Sequence, residues 1–146
     1  EYWMFEEVLH KYHACCHGLH AAIEALIKVR EQNNLNAENI KNISIAVAPR
    51  YLKICNIMAP KTGLEAKFSF RLSAAMVLAR RDTAVLSTFS DEACDSRELI
   101  ALRDQVSVSP DPKLSETEAF VQVQTSDDKI LNANFEFFYL KLPQFF

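Results

Sequence analysis

Residues 118–142 read EAFVQVQTSDDKILNANFEFFYLKL. In EAFVQVQT, residues 118–125, apolar and polar side chains alternate, which is the period of a half-buried strand. ILNANFEFFYLKL, residues 130–142, predicts a long aromatic strand, and Asp127-Asp128 between the two is a turn signal, so the pair predicts a hairpin. Just upstream, VSVS at 106–109 is a third strand candidate that stops at Pro110. Farther back, NISIAVA at 42–48 puts Ile43, Ile45 and Val47 on one face and Asn42 and Ser44 on the other, and Pro49 closes it. Helical periodicity fills the remainder. Leu19, Ala22, Ile23, Leu26 and Ile27 recur at i, i+3, i+4, i+7, i+8, predicting a helix over about 17–33 that ends at Asn33, Asn34 and Asn36. Residues 50–64 predict a loop, broken by Pro60 and Gly63. A second helix is expected over about 65–81. Phe68, Leu72, Ala75 and Ala79 make one face, and Phe70, Ala74, Val77 and Leu78 cover most of the rest, so burial on more than one side is expected. A short helix at about 95–104 follows Asp91 and Asp95. The order α-β-α-α-β-β-β, with strands grouped after helices, predicts an α+β fold: one domain with an antiparallel sheet and helices packed on one face.

Composition narrows the function classes. A length of 146 residues suits one domain with a sizeable core. Sixteen basic against nineteen acidic residues give a net charge of −3, so no basic excess exists to neutralise a nucleic-acid backbone. No apolar run approaches the ~20 residues of a membrane helix. Two glycines in 146 residues leave no room for the Gly-rich phosphate loops of nucleotide cofactors. Cys15, Cys16, Cys55 and Cys94 form neither a C-x-x-C motif nor a secreted disulfide scaffold, and no secretory pattern opens the sequence. Reduced thiols in a cytoplasmic setting are the expectation. The first residue is Glu1 and not Met, which raises the expectation of a piece of a longer protein.

All four histidines, His10, His13, His17 and His20, fall within eleven residues, with Lys11, Cys15 and Cys16 among them. Spacings His13-x3-His17 and His17-x2-His20 suit metal ligation from one helix face, but no second cluster completes a tetrahedral set. Ordinary hydrogen-bonded histidines at a helix entry are a second reading. Proton transfer is a third, since histidine titrates near neutrality and a nearby lysine binds carboxylates or acts as a base. With Leu19 as the core direction, His20 projects about 100° round, at the border of the apolar face, and His17 about 160° round, away from it. Cys16 reads either as a nucleophile beside His13 or His20 or as a small buried hydrophobe.

On the second expected helix Lys67 and Arg71 stand at i, i+4, where like charges repel, near a helix start that favours anions. Ordinary solvated surface, with Glu65 offsetting Lys67, is one reading. A bound anion held by Lys67, Arg71 and the Ser69 hydroxyl would also remove the conflict. With Lys11, these residues outline a polycarboxylate pocket.

Two longer strings carry a family resemblance. KYHACCHGLHAAIEAL, residues 11–26, resembles the motif K-Y-H-x-x-C-x-x-x-H-x-x-I-E/D-A of the MmgE/PrpD family, and CNIMAPKTGLEAKFSFR, residues 55–71, resembles its second motif. ENIKNISIAV, residues 38–47, resembles the strand that links them. The likeness covers about residues 8–130 and fades where Asp127-Asp128-Lys129 replaces the usual Asp-Gly. The family includes 2-methylcitrate dehydratases, cis-aconitate decarboxylases and iminodisuccinate epimerases. The resemblance implies cofactor-free acid–base chemistry on small di- or tricarboxylates. It also implies the C-terminal α+β domain of a two-domain enzyme whose active site lies against an upstream helical domain, here absent. By position, Lys11, His13 and His20 match catalytic-motif residues, and Lys67, Ser69 and Arg71 fall in the second, substrate-binding motif. Other members carry a histidine nearer Cys16, and His17 stands where relatives often have Tyr.

The expectation is therefore a share in a lyase that removes a proton α to a carboxylate and then expels hydroxide or carbon dioxide. No cofactor or metal is expected, and a homodimer is. An epimerase of the same family would return the proton to the opposite face. A non-catalytic binding or dimerisation module would use the apolar second helix and the tail FEFFYLKLPQFF as a partner surface. A zinc module is the remaining option.

Overall fold

The structure, a computed structural model, describes residues 10–137. Residues 138–142 of the expected last strand, and most of the aromatic tail, lie outside the described residues. Helix α1 (His20–Gln32) follows a single 3-10 turn at His17–Leu19. Strand β1 (Ile40–Val47) comes next, then α2 (Tyr51–Ile54), α3 (Gly63–Ala66), α4 (Phe70–Leu78), α5 (Asp91–Asp95) and α6 (Arg97–Arg103). Strands β2 (Val106–Pro110), β3 (Glu118–Thr125) and β4 (Ile130–Glu136) complete the α+β chain.

The four strands form one sheet in the order β2-β1-β3-β4. Antiparallel pairing holds for β1–β3 and for the β3–β4 hairpin, whereas β1 and β2 are parallel, with Ile43 opposite Val106. A parallel pair needs a crossover, and α2 to α6 supply it by returning the chain to the starting end of β1. Alternation sorts the two faces. Ile43, Ile45, Val47, Ala119, Val121, Val123 and Ala133 are buried under the helices. Asn42, Gln122, Gln124 and Asn132 occupy the other face, where Asn42 Nδ2 donates to Gln124 Oε1 at 3.0 Å. Helix α1 lies across β3 and β4, and α4 sits against α1, α6 and β2. Among the described residues no helix is long and apolar enough to cross a membrane.

The expected second helix is two helices. Its interruption lies at Lys67–Ser69, where the backbone pairs with the segment after α2: Ile57 N–H donates to the Phe68 carbonyl at 3.1 Å and Phe70 N–H to the Cys55 carbonyl at 3.2 Å. Ser69, in extended backbone, restarts the helix as its N-cap, with Oγ accepting from Leu72 N–H at 3.1 Å. Helix α4 is buried on nearly every side, everything on it except Arg71 being buried, and Ser73 is its one buried polar residue. That overturns its expected use as an exposed partner surface: α1 and α6 already cover it. The expected 50–64 loop contains the one-turn α2, and the short helix at 95–104 becomes α5 and α6, separated at Ser96.

Both glycines mark close approaches. A Cβ at Gly63 would stand 2.5 Å from the Phe89 backbone oxygen, and one at Gly18 would collide with the Tyr51 ring. Gly63 N–H also donates to Asp91 Oδ1 at 2.7 Å, so α3 is moored to the start of α5.

Candidate functional site

Segment 13–16 enters α1 pinned at two points. Ala14 N–H donates to the Thr83 carbonyl and Cys16 N–H to the Lys67 carbonyl, each at 2.9 Å. The second bond joins the two sequence motifs directly. His13 is buried between two partners: its Nε2 lies 2.8 Å from Glu24 Oε1 and its Nδ1 lies 2.8 Å from Thr83 Oγ1. A carboxylate only accepts, so Nε2 carries a proton and, in the neutral ring, Nδ1 accepts from the Thr83 hydroxyl.

His20 is 1% exposed, inside the core and not at the border that projection placed it. Residues from outside the helix close over it, namely the His13 ring at 5.0 Å and Phe137, beyond β4, at 5.8 Å. Its Nδ1 donates to the Cys16 carbonyl and its Nε2 accepts from the His13 backbone N–H, each at 3.2 Å. Burial, reinforced by His13 nearby, pushes its pKa down to about 4, so the ring is neutral at physiological pH. His17 is half-buried, stacked on His20 at 4.9 Å, and burial followed by the Lys11 charge lowers its pKa. Lys11 is exposed beside this cluster.

The second motif behaves differently. Lys67 is the C-cap of α3 and Arg71 lies in the first turn of α4, so the two are not i, i+4 neighbours on one helix as the sequence suggested. Both are half-buried, and neither has an acidic partner among the described residues. Arg71 Nε and the Asn56 Oδ1 beside Cys55 are buried without a hydrogen-bond partner. Buried polar atoms are ordinarily paired, so these two are open to a ligand or water, as are Arg30 Nε, Ser73 Oγ and Gln105 Oε1 elsewhere in the domain. Ser69 is fully buried, its oxygen engaged as the α4 cap.

Four residues complete the picture without having been singled out from sequence. Glu24 and Thr83 hold His13; Asn56 adds an acceptor; Phe137 roofs His20. Glu24 was visible only as one letter of the first motif, four residues after His20, and Thr83 had no local signal at all. Among the described residues no group of three His, Cys, Asp or Glu side chains is arranged to hold a metal. Two concavities of about 370 and 360 Å³ lie elsewhere, one on the polar sheet face around Gln105 and Gln122, the other around Asn33–Asn36 and Asp127. Neither includes a residue of the cluster. A search of curated proteins finds no match to the chain. The sequence model of the MmgE/PrpD C-terminal domain matches residues 13–139, nearly the whole chain, and the chain therefore belongs to that family.

Proposed function

We propose that this domain contributes the anion clamp and proton-transfer groups of a cofactor-free lyase acting on small di- or tricarboxylates. One observation carries the reading. Lys67 and Arg71 are half-buried cations without acids among the described residues, joined through the Lys67 carbonyl to the segment bearing Lys11 and His13. Partly desolvated cations attract carboxylates more strongly than exposed ones, because less water screens the charge.

In this reading Lys67 and Arg71 bind the carboxylates and stabilise the negative charge that spreads into them as the α proton leaves. Lys11 and His13 carry the proton. With Nε2–H committed to Glu24, the basic nitrogen of His13 is Nδ1, behind the Thr83 hydroxyl. His20 is a positioning residue that holds the His13 backbone amide, and Ser69 fixes the turn carrying Arg71. The electron pair left on carbon then forms the double bond as hydroxide departs, and the hydroxide takes up a proton. An upstream helical domain would close the other side of the site.

Turnover of 2-methylcitrate, cis-aconitate and iminodisuccinate by the chain joined to such a domain tests this. Lys67→Ala and Arg71→Ala should each lower kcat/KM by about 100-fold or more, the scale of losing a preorganised charge contact. Absence of turnover with all three, together with unchanged ligand binding in Lys11→Ala, rejects the proposal. Deuterium uptake at the α carbon without elimination would instead establish the epimerase reaction.

A further inference from the structure

We infer that Cys16 and Cys55 are a dithiol modification site, closed to a disulfide by hydrogen peroxide and reopened by small thiols. The observation is geometric: the Cys55 and Cys16 Sγ atoms stand 3.2 Å apart, although the residues are far apart in sequence. Both are thiols in the structure. Backbone pairing holds them there. The Cys16 amide is bonded to the Lys67 carbonyl, and the Cys55 carbonyl receives the Phe70 amide, so the same turn of chain anchors both. A disulfide requires the sulfurs to close to about 2.05 Å, an approach of roughly an ångström.

Exposure assigns the roles. Cys16 is half-buried, whereas Cys15, Cys55 and Cys94 are buried. A small peroxide therefore meets Cys16 first. Its sulfur attacks one peroxide oxygen, the O–O bond breaks, water leaves, and Cys16 becomes a sulfenic acid. Cys55 then attacks that sulfur. Its proton joins the departing hydroxide as water, and the S–S bond forms. Two thiols are oxidised and one peroxide is reduced to two waters. Cys15 is adjacent in sequence but takes no part: burial pushes the Cys15 and Cys55 thiols up alike, and it is the 3.2 Å sulfur contact that selects Cys55 as the partner of Cys16.

The bond would tie segment 13–16 to the segment that carries Asn56 and leads into Lys67 and Arg71. Oxidation would thus lock the spacing between the two motifs, whatever reaction they serve.

The test treats the folded chain with hydrogen peroxide, removes the peroxide, unfolds the chain in denaturant with a maleimide present to block remaining thiols, and maps peptides without reduction. Four adducts on the untreated protein should fall to two on the oxidised monomer, with one cross-linked peptide joining the 15–16 and 55 segments. The link should persist in Cys15→Ser and Cys94→Ser, vanish in Cys16→Ser, reverse with dithiothreitol, and raise Tm by constraining the unfolded chain. Four surviving thiols in the wild-type chain, after a dose that oxidises glutathione under the same conditions, would overturn the inference. So would a link that persists in Cys16→Ser, or one found only between two chains. The wild-type map decides even where a serine variant does not fold.

Discussion

The two motifs meet at one backbone hydrogen bond, yet they are opposite kinds of structure. In the first, each imidazole nitrogen of His13 and His20 has a partner within the domain. In the second, Lys67 and Arg71 are half-buried without an acid among the described residues, and Arg71 Nε and Asn56 Oδ1 are orphaned. A region that satisfies itself contributes to folding. A region that does not is held in place by its surroundings and gains from something added. The histidines should therefore be read first in stability, the cations first in binding.

The largest effect that would break this contrast concerns His20. His20→Ala removes a ring that is 1% exposed and strands the His13 backbone N–H, so thermal or urea unfolding should show a loss of about 3–4 kcal/mol. A loss below about 1 kcal/mol would mean that the first motif is not self-supporting.

The same ring sets a pH dependence. Because the fold favours neutral imidazole, the unfolded chain binds more protons between about pH 4 and pH 6.5. Its contribution is complete above the upper limit and is lost as the pH falls through the window, amounting to roughly 3 kcal/mol. Urea midpoints measured from pH 7 down to 4 should fall steeply in the wild type and much less in His20→Asn. Equal slopes would place the acid sensitivity elsewhere.

Smaller still is Thr83→Val, which keeps the shape but leaves His13 Nδ1 without its hydroxyl, for a cost of about 1–2 kcal/mol in the same unfolding measurement. Last comes the second motif. Lys67→Met and Arg71→Met each remove an unpaired, partly desolvated charge, and stability should change by less than about 0.5 kcal/mol or rise slightly. Tricarboxylate affinity, measured by calorimetry, should nonetheless fall about tenfold or more, the scale of one charged contact. A large destabilisation here would erase the distinction between the two motifs.

Much of this was legible in the sequence where one local period decides the outcome. Strand β3 matches EAFVQVQT residue for residue, β1 carries Ile43, Ile45 and Val47 inward, and Leu19, Ala22, Ile23 and Leu26 lie in the core. Failures came where a distant partner overrides a local signal. Apolar spacing runs unbroken through Phe68–Phe70, but pairing with Cys55–Ile57 stops the helix there. Helical projection cannot foresee that Phe137, from beyond the last strand, will cover His20. The partners of His13 illustrate the same limit, since Thr83 comes from a loop seventy positions away. The Asp-Gly departure at the hairpin is visible in sequence and has a structural cost: Asp128 sits at φ 60°, where glycine is easier, and its carboxylate meets Lys41 Nζ at 2.9 Å.

The central strand also dictates an order of assembly. Strand β1 is flanked by partners that begin at positions 106 and 118, while the β3–β4 hairpin closes over a few residues at Thr125–Lys129. Closing a short loop loses far less chain entropy than closing a long one. The last two strands can therefore pair early, whereas β1 must wait for most of the chain to be synthesised. Until then both of its backbone edges stay unpaired and the face bearing Ile43, Ile45 and Val47 stays uncovered during translation, while Asn42 and Ser44 keep the opposite face polar.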